Sequence, residues 1–163
     1  MKILPLFTVW IIVSAVFGYY TSWWLGLLLV MAFPLLAYQW FTFVWKKAKI
    51  LSVLDKEYDY DLRNLPYDSP QASTLNSLLR GFRQTKYEED GQPLNEYDMA
   101  TMFMAIMVNS PSGEKQGRSL EEKQQFAKKI RDNARRLDSA GRISANSAIE
   151  SIEIATTEKF GIP

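Results

Sequence analysis

An uninterrupted apolar run near the amino terminus constrains this chain more than any other feature. The 43 residues from Ile3 to Trp45 contain no Asp, Glu, Lys or Arg, and they hold all five tryptophans. A straight helix of that length would measure about 64 Å, roughly twice the ~30 Å hydrocarbon core of a bilayer. We therefore expect this run to double back within a membrane, and we do not expect a wholly water-soluble protein.

The turn is best placed at residues 18–24, where a glycine and two small hydroxyl residues adjoin four aromatic rings. Aromatic side chains of this kind settle at the headgroup level. The predicted spans are about 3–20 and 23–45, and Pro34 is expected to kink the second. The side chains predicted to lie at the membrane interface are Trp23, Trp24, Trp45, Lys46, Lys47 and Lys49.

The lysines indicate the orientation of the two spans. Lys2 precedes the first span, three lysines follow the second, and the turn carries no charge. The positive-inside rule then predicts a multi-pass inner-membrane protein with both termini in the cytoplasm. A cleaved signal peptide and an interfacial hairpin are the alternatives. Pro5 and the lack of a small-residue cleavage site argue against the first, and the lack of a polar face argues against the second.

The remainder of the chain has the opposite character. Residues 46–163 carry 36 charged side chains in 118 residues, 18 of each sign, and the whole chain has neither Cys nor His. Disulfides, thiolate or imidazole metal sites, Cys nucleophiles and His bases are therefore excluded. No carboxylate, Lys, Tyr or Ser pair stands out as a catalytic set, so we expect no enzyme, no metal and no cofactor.

The predicted fold is all-α, with the transmembrane hairpin at 1–49, an acidic connector at 50–70 and a cytoplasmic domain of about four helices at 71–163. Residues 50–54, at the start of the connector, are expected to continue the second helix out of the membrane. Alternating acids at 57, 59 and 61 could suggest calcium, but the glycine and distal glutamate of an EF-hand are missing. Ser69-Pro70, Asn95 and the capping box Ser119–Glu122 predict helix starts. Gly141 and Gly161 predict helix ends.

A methionine-rich helix is the first candidate for partner binding. Four of the six methionines fall between residues 99 and 107, and the candidate contact residues are Met99, Met102, Phe103 and Met107. Flexible thioether side chains can adapt to varied partners. The alternative is an ordinary buried helix, because the stretch is apolar nearly all round and a domain of this size needs one.

A basic helix is the second candidate. Between residues 115 and 142 there are nine basic and four acidic side chains, and the stripe of interest is Lys128, Arg131, Arg135 and Arg136. Such a stripe could bind an acidic protein surface, anionic lipid or nucleic acid. It could also be an ordinary solvated face, or pair with the acidic run 55–61 within the fold or between copies.

We therefore expect a non-enzymatic, membrane-anchored subunit or scaffold of a larger, bacterial inner-membrane assembly, such as a secretion or conjugation machine. Its helical domain would dock a cytoplasmic protein. Its hairpin would pack on other membrane helices through small residues, namely Ser14, Ala15, Gly18, Gly26 and Ala32. Other membrane and cytoplasmic subunits and the lipid bilayer are the expected partners, in a hetero- or homo-oligomer. One alternative is a membrane-tethered nucleic-acid binder using helix 123–136, although the zero net charge of residues 46–163 disfavours it. The other alternative is a small membrane exclusion or immunity effector.

Overall fold

Helices account for nearly all of the regular structure. The computed structural model describes residues 3–62, 64, 66, 68–85, 88–89, 92–109 and 119–162. Within these ranges the helices are α1 (Ile3–Tyr20), α2 (Trp23–Tyr58), α3 (Pro70–Thr85), α4 (Glu96–Asn109), α5 (Leu120–Ser139) and α6 (Asn146–Phe160). A two-residue antiparallel pair joins β1 (Glu88–Glu89) to β2 (Gln92–Pro93). The prediction of an all-helical chain is confirmed. Residues 110–118, which include Lys115 and Arg118 of the basic stretch 115–142, lie outside the described residues, as does Lys2.

The chain divides into two compact units, residues 1–46 and residues 47–163, and the division falls inside α2. Helix α2 continues past Pro34 and past the end of the predicted span as far as Tyr58. Its last three turns bury Ile50, Leu54 and Tyr58, which recur every four residues and so share one face of the helix. The buried face of this last part of α2 is therefore part of the core of the second unit.

Helix α4 is the central element of the second unit. It packs along α6 and also contacts α5 and α3. Nine of its 14 residues are buried, as its apolar composition predicts. Helix α5 contributes Ala127, Ile130, Ala134 and Leu137 to the core, which is the apolar face expected from its 3.6-residue period. Together these helices enclose the apolar interior of the unit.

The helix ends follow local sequence signals. Ser119 accepts a hydrogen bond from the Glu122 N–H while the Glu122 carboxylate accepts one from the Ser119 N–H, so the predicted capping box is present. Ser69 caps α3 by accepting from the Ala72 N–H at 3.2 Å. Gly141 and Gly161 adopt positive φ angles of 65° and 60°, the left-handed conformation in which glycine ends a helix without strain.

In the first unit, α1 and the beginning of α2 contact each other in an antiparallel arrangement. The Trp10 indole N–H donates to the Leu29 carbonyl at 2.9 Å. A Cβ atom placed on Gly26 would lie 2.8 Å from the Ser14 carbonyl oxygen and 2.9 Å from the Gly18 Cα. Small residues thus let the two backbones approach closely. Ser14, Gly18 and Gly26 are buried in this contact, so they are not free to pack against other proteins as predicted.

Candidate functional site

The carboxylate of Asp98 is completely buried and accepts four hydrogen bonds from described residues of the second unit. One of its oxygens accepts from the backbone N–H groups of Ser144 and Ala145, at 2.8 and 3.1 Å. The other accepts from the Asn95 N–H at 2.9 Å and from the Ser144 hydroxyl at 2.7 Å. Four donors saturate the acceptor capacity of a carboxylate. Asp98 therefore joins α4 to the segment before α6, and its four hydrogen bonds give it a structural role.

Asn95 extends the same cluster on its exposed side. Its side-chain oxygen accepts from the N–H groups of Tyr97 and Asp98, which makes it the predicted N-cap of α4. Its amide nitrogen donates to the Arg142 carbonyl at 2.9 Å. The Arg142 guanidinium in turn lies over the Tyr97 ring, 5.6 Å from its centroid. These contacts fix the loop between α5 and α6, and their chemistry is structural.

A second buried polar pair joins α2 to α4. The hydroxyl groups of Tyr58 and Thr101 are hydrogen-bonded at 2.5 Å, and both side chains are inaccessible to solvent. Burial raises the pKa of Tyr58 to about 12, and the neighbouring Glu57 adds to the rise. The Thr101 hydrogen bond and Arg136 act in the opposite direction but do not cancel it. Tyr58 therefore stays neutral at physiological pH and acts as a core residue.

Basic side chains of α5 pair with acidic groups of the same chain, among them two of the four stripe residues, Arg135 and Arg136. Arg136 contacts Glu57 at 2.7 Å, and Lys129 contacts Asp59 at 3.0 Å. The acidic run that follows the second predicted span thus complements the basic helix within one copy of the fold, which was one of the two arrangements left open by the sequence. Arg135 pairs with an acid of α6, since its guanidinium reaches Glu153 at 3.0 Å.

The position of Arg131 differs from the prediction. Its side chain is only 4% exposed, and it donates to the Ile162 carbonyl at 2.7 Å. Arg131 follows the buried Ile130 and precedes the buried Ala134 by three residues, so it lies at the edge of the apolar face of α5. It therefore ties the end of α6 to α5 and cannot contribute to an exposed stripe. Of the four predicted stripe residues, Lys128, Arg135 and Arg136 are exposed.

The methionine helix is mostly a core element. Met99, Phe103 and Met107 are 7%, 0% and 1% exposed, so they pack inside the second unit and are not available for partner binding. The alternative reading of this helix, an ordinary buried helix, describes these three residues. Met102 is the exception, because it is only partly buried. Ile106, one turn further along, is 40% exposed.

A shallow surface cleft of about 180 Å³ lies between α2 and the start of α4. It is lined by Lys49, Ser52, Val53, Lys56, Glu57, Glu96 and Tyr97. Small-molecule sites usually enclose about 300–1,000 Å³ and are mainly apolar. In the cleft, Lys49 already pairs with Glu96 at 3.4 Å. Across the described residues, no three His, Cys, Asp or Glu side chains are grouped as a metal site would require.

The surface of the first unit is apolar. Large apolar side chains of α2 such as Leu28 and Leu35 are 61% and 66% exposed, and many others on α1 and α2 are similarly uncovered. Of the helices in the described part of the chain, α2 is the one long and apolar enough to cross a membrane, while residues Thr8–Tyr20 form a shorter apolar helix. Apolar surface on this scale marks contact with lipid or with other proteins.

The residues predicted at the membrane interface differ in their surroundings. Trp23, Trp24 and Trp45 are more than half exposed, and the rings of the first two lie 4.3 Å apart. Lys46 is exposed. Lys47 and Lys49 are partly buried in the second unit, where Lys47 donates to Asn76 at 2.8 Å and Lys49 pairs with Glu96. Their location at a membrane surface stays a prediction.

Asp98 and Tyr58 were not among the residues that the sequence pattern singled out. An aspartate in the first turn of a helix is explained by the helix dipole alone, so nothing in its position indicates four further contacts. The chain matches no family model, and comparisons with curated proteins and with solved structures find no match either.

Proposed function

We propose that this protein is a non-enzymatic, membrane-anchored subunit of a larger assembly, with the second unit docking a cytoplasmic partner. The observation that carries the proposal is the extensive exposed apolar surface of the first unit, combined with the absence of any charge from Ile3 to Trp45. Such a surface is stable in lipid or against other apolar helices, and it is unstable in water.

In this proposal both α1 and α2 cross the bilayer of a bacterial inner membrane, with both termini in the cytoplasm. The close contact of Gly18 and Gly26 supports a pair of spans that pack against each other, since small residues at a crossing are typical of membrane helices. The spans contain no Asp, Glu, Lys, Arg or His, so an anchoring and packing role is favoured over transport.

The contacts of α5 favour a protein partner over nucleic acid. Phosphate binding needs basic side chains that are free to replace counterions. Lys129, Arg135 and Arg136 are already paired with acids, and Arg131 is buried. Helix 123–136 therefore has few free cations to offer a nucleic-acid backbone.

Membrane anchoring can be tested with matched arginine substitutions. Leu28→Arg and Leu35→Arg place a charge in the proposed span, whereas Leu120→Arg places one at a leucine of α5 with a similar exposed fraction, 65%. Replacing leucine by arginine at the centre of a span costs about 3–4 kcal/mol of insertion free energy. We expect the first two variants to shift towards the carbonate-extractable fraction and Leu120→Arg to remain with the membranes.

Equal behaviour of all three variants would contradict the proposal, as would a wild-type chain that is extracted by carbonate. Reporter fusions at the carboxyl terminus and in the turn at residues 21–22 test the topology, with the terminus expected inside and the turn outside. Gentle solubilisation of the full chain should then recover protein partners in fixed stoichiometry, and recovery of an isolated monomer would argue against a subunit role.

A further inference from the structure

We propose that one flank of the α4–α6 pair binds a basic amphipathic helix of a partner protein. This flank, here named the α4–α6 flank, consists of Met102 and Ile106 on α4 and of Glu150, Ile154 and Glu158 on α6. The proposal rests on the proposed function, in which the second unit docks a partner, and it specifies the chemistry of that partner.

The register of the two helices brings the apolar members of the flank together. At one end the Asp98 carboxylate accepts from the N–H groups of Ser144 and Ala145. At the other end the Lys159 ammonium donates to the carbonyls of Val108 and Asn109. Contacts at matching ends mean that α4 and α6 run parallel. In this register Ile106 lies level with the turn of α6 that contains Ile154.

Both isoleucines are on the open side of the pair. Ile106 is 40% exposed and Ile154 is 46% exposed. One exposed apolar side chain is ordinary on a protein surface, but two that adjoin form a patch that a partner can cover.

The side of α6 that faces α5 is marked by Glu153, which pairs with Arg135, and Ile154 is about 100° further round the helix. On α4 the side that faces α6 is marked by Asp98, which accepts from the Ala145 N–H, and Ile106 is about 80° further round that helix. For two parallel right-handed helices in this register, these two offsets place Ile106 and Ile154 on the same flank.

The charged side chains that share a stripe of α6 with Ile154 are acidic, while the nearby Lys159 ammonium is directed to the carbonyls at the end of α4. Glu150 and Glu158 lie four residues before and four residues after Ile154, so all three share one stripe of α6. Both glutamates are exposed, and neither forms an ion pair with any residue that the structure describes. The exposed acids of the flank contrast with Glu57 and Glu153, which are each neutralised by an arginine.

An acidic rim around an apolar centre selects the occupant by charge. It repels phosphates, which excludes both an anionic lipid surface and a nucleic-acid backbone. Its complement is an apolar side chain with a Lys or Arg about 6 Å away on either side, the spacing that a helix provides at four residues. An amphipathic helix with basic residues four before and four after a leucine matches this pattern.

A labelled model peptide tests the proposal directly. The probe is a fluorescein-labelled helical peptide with a central leucine and a lysine four residues away on each side, titrated by anisotropy against the full chain in neutral-lipid nanodiscs. We expect binding that weakens as salt rises, and a Kd about tenfold higher for Glu150→Lys/Glu158→Lys, since two attractive pairs become repulsive. The milder Glu150→Gln/Glu158→Gln variant should raise Kd about threefold.

The control is Asp132→Lys/Asp138→Lys, which makes the same change of net charge on exposed positions of α5 and should leave Kd within twofold of wild type. The proposal would be overturned if the wild-type chain did not bind the peptide, or if both charge reversals weakened binding to the same extent. It would also be overturned if a peptide with glutamates in place of the lysines bound as tightly as the lysine peptide. Amide exchange of α4 and α6 on the same samples verifies that the variants are folded, and the glutamine variant replaces any that is not.

The full chain in its own membrane provides the second test. A photo-crosslinker at position 154 should capture a basic helical segment of another protein, whereas one at Gln125, exposed on α5, should not. Crosslinks from position 154 to lipid or to a second copy of this chain would refute the proposal. Membrane flotation distinguishes failure of the membrane anchor from failure of the docking proposal. A chain that does not float with membranes would refute the membrane anchor. A chain that floats but does not bind the peptide would refute only the binding of a basic helix at the α4–α6 flank.

Discussion

Removal of the Asp98 carboxylate should destabilise the second unit more than removal of any other acidic side chain that the structure describes there. In Asp98→Ala, the N–H groups of Asn95, Ser144 and Ala145 all lose an ionised acceptor within the folded unit. Hydrogen bonds to charged groups contribute about 1.5–3 kcal/mol each, and such clusters are not additive. We therefore expect a loss of about 3–5 kcal/mol, a large part of the ~5–15 kcal/mol that stabilises a typical domain.

The assay must report on α4 and α6 specifically. Tryptophan fluorescence is unsuitable, because all five tryptophans lie in the first unit. Pulsed hydrogen exchange of peptides covering α4 and α6, measured over a urea series on the full chain in nanodiscs, isolates the unfolding of this unit. With an m-value of about 2 kcal/mol/M, a 4 kcal/mol loss lowers the midpoint by about 2 M.

Two further variants test whether the loss of stability is specific to the Asp98 carboxylate. Asp98→Asn keeps one oxygen for Ser144 and Ala145 but turns an N–H donor towards the Asn95 N–H, so its effect should fall between wild type and Asp98→Ala. Asp132→Ala removes an exposed acid of α5 and should change stability by less than about 0.5 kcal/mol. If Asp98→Ala shifted the midpoint no more than Asp132→Ala, the role assigned to the carboxylate would be refuted.

Three other predictions follow from described contacts. Because burial raises the pKa of Tyr58 to about 12, the folded state favours the neutral phenol. The free energy of unfolding should be constant below pH ~10 and fall by about 2–3 kcal/mol as the pH rises from ~10 to ~12. Alkaline unfolding curves of Tyr58→Phe should lack this fall. Gly26→Ala should weaken the α1–α2 contact by about 1–3 kcal/mol, seen as slower crosslinking of engineered cysteine pairs, whereas Gly81→Ala, where a Cβ meets nothing within 4 Å, should be neutral or slightly stabilising. Arg136→Glu should cost about 0.2–1 kcal/mol, and adding Glu57→Arg should restore it in a double-mutant cycle; the absence of coupling would contradict the ion pair.

Local signals predicted the helices well because each depends on a few neighbouring residues. The capping box at Ser119, the N-cap at Asn95 and the left-handed glycines at 141 and 161 all occur as expected. The sequence predicts that residues 50–54 continue the second helix, and α2 ends one turn later, at Tyr58. The acids Asp55 and Glu57 give that last turn the composition of a solvated connector, although Ile50, Leu54 and Tyr58 have the spacing of a buried face.

The tertiary contacts could not be predicted, because they depend on which helices become neighbours. Arg131 and Arg135 are four residues apart and equally basic. The first is buried and donates to the Ile162 carbonyl, whereas the second pairs at the surface with Glu153. A stripe drawn on an isolated helix cannot separate the two. Asp98 likewise has the sequence signature of an ordinary first-turn acid, and its importance arises from Ser144, 46 residues later in the chain.

The two ends of the α4–α6 pair are held by opposite charges, and this limits how the unit can move. The carboxylate of Asp98 links the amino-terminal ends, and the ammonium group of Lys159 links the carboxyl-terminal ends. Sliding by one turn, about 5.4 Å, would break both clamps at once. Any rearrangement imposed on this pair from outside should therefore rotate the two helices together as one body and leave their register unchanged.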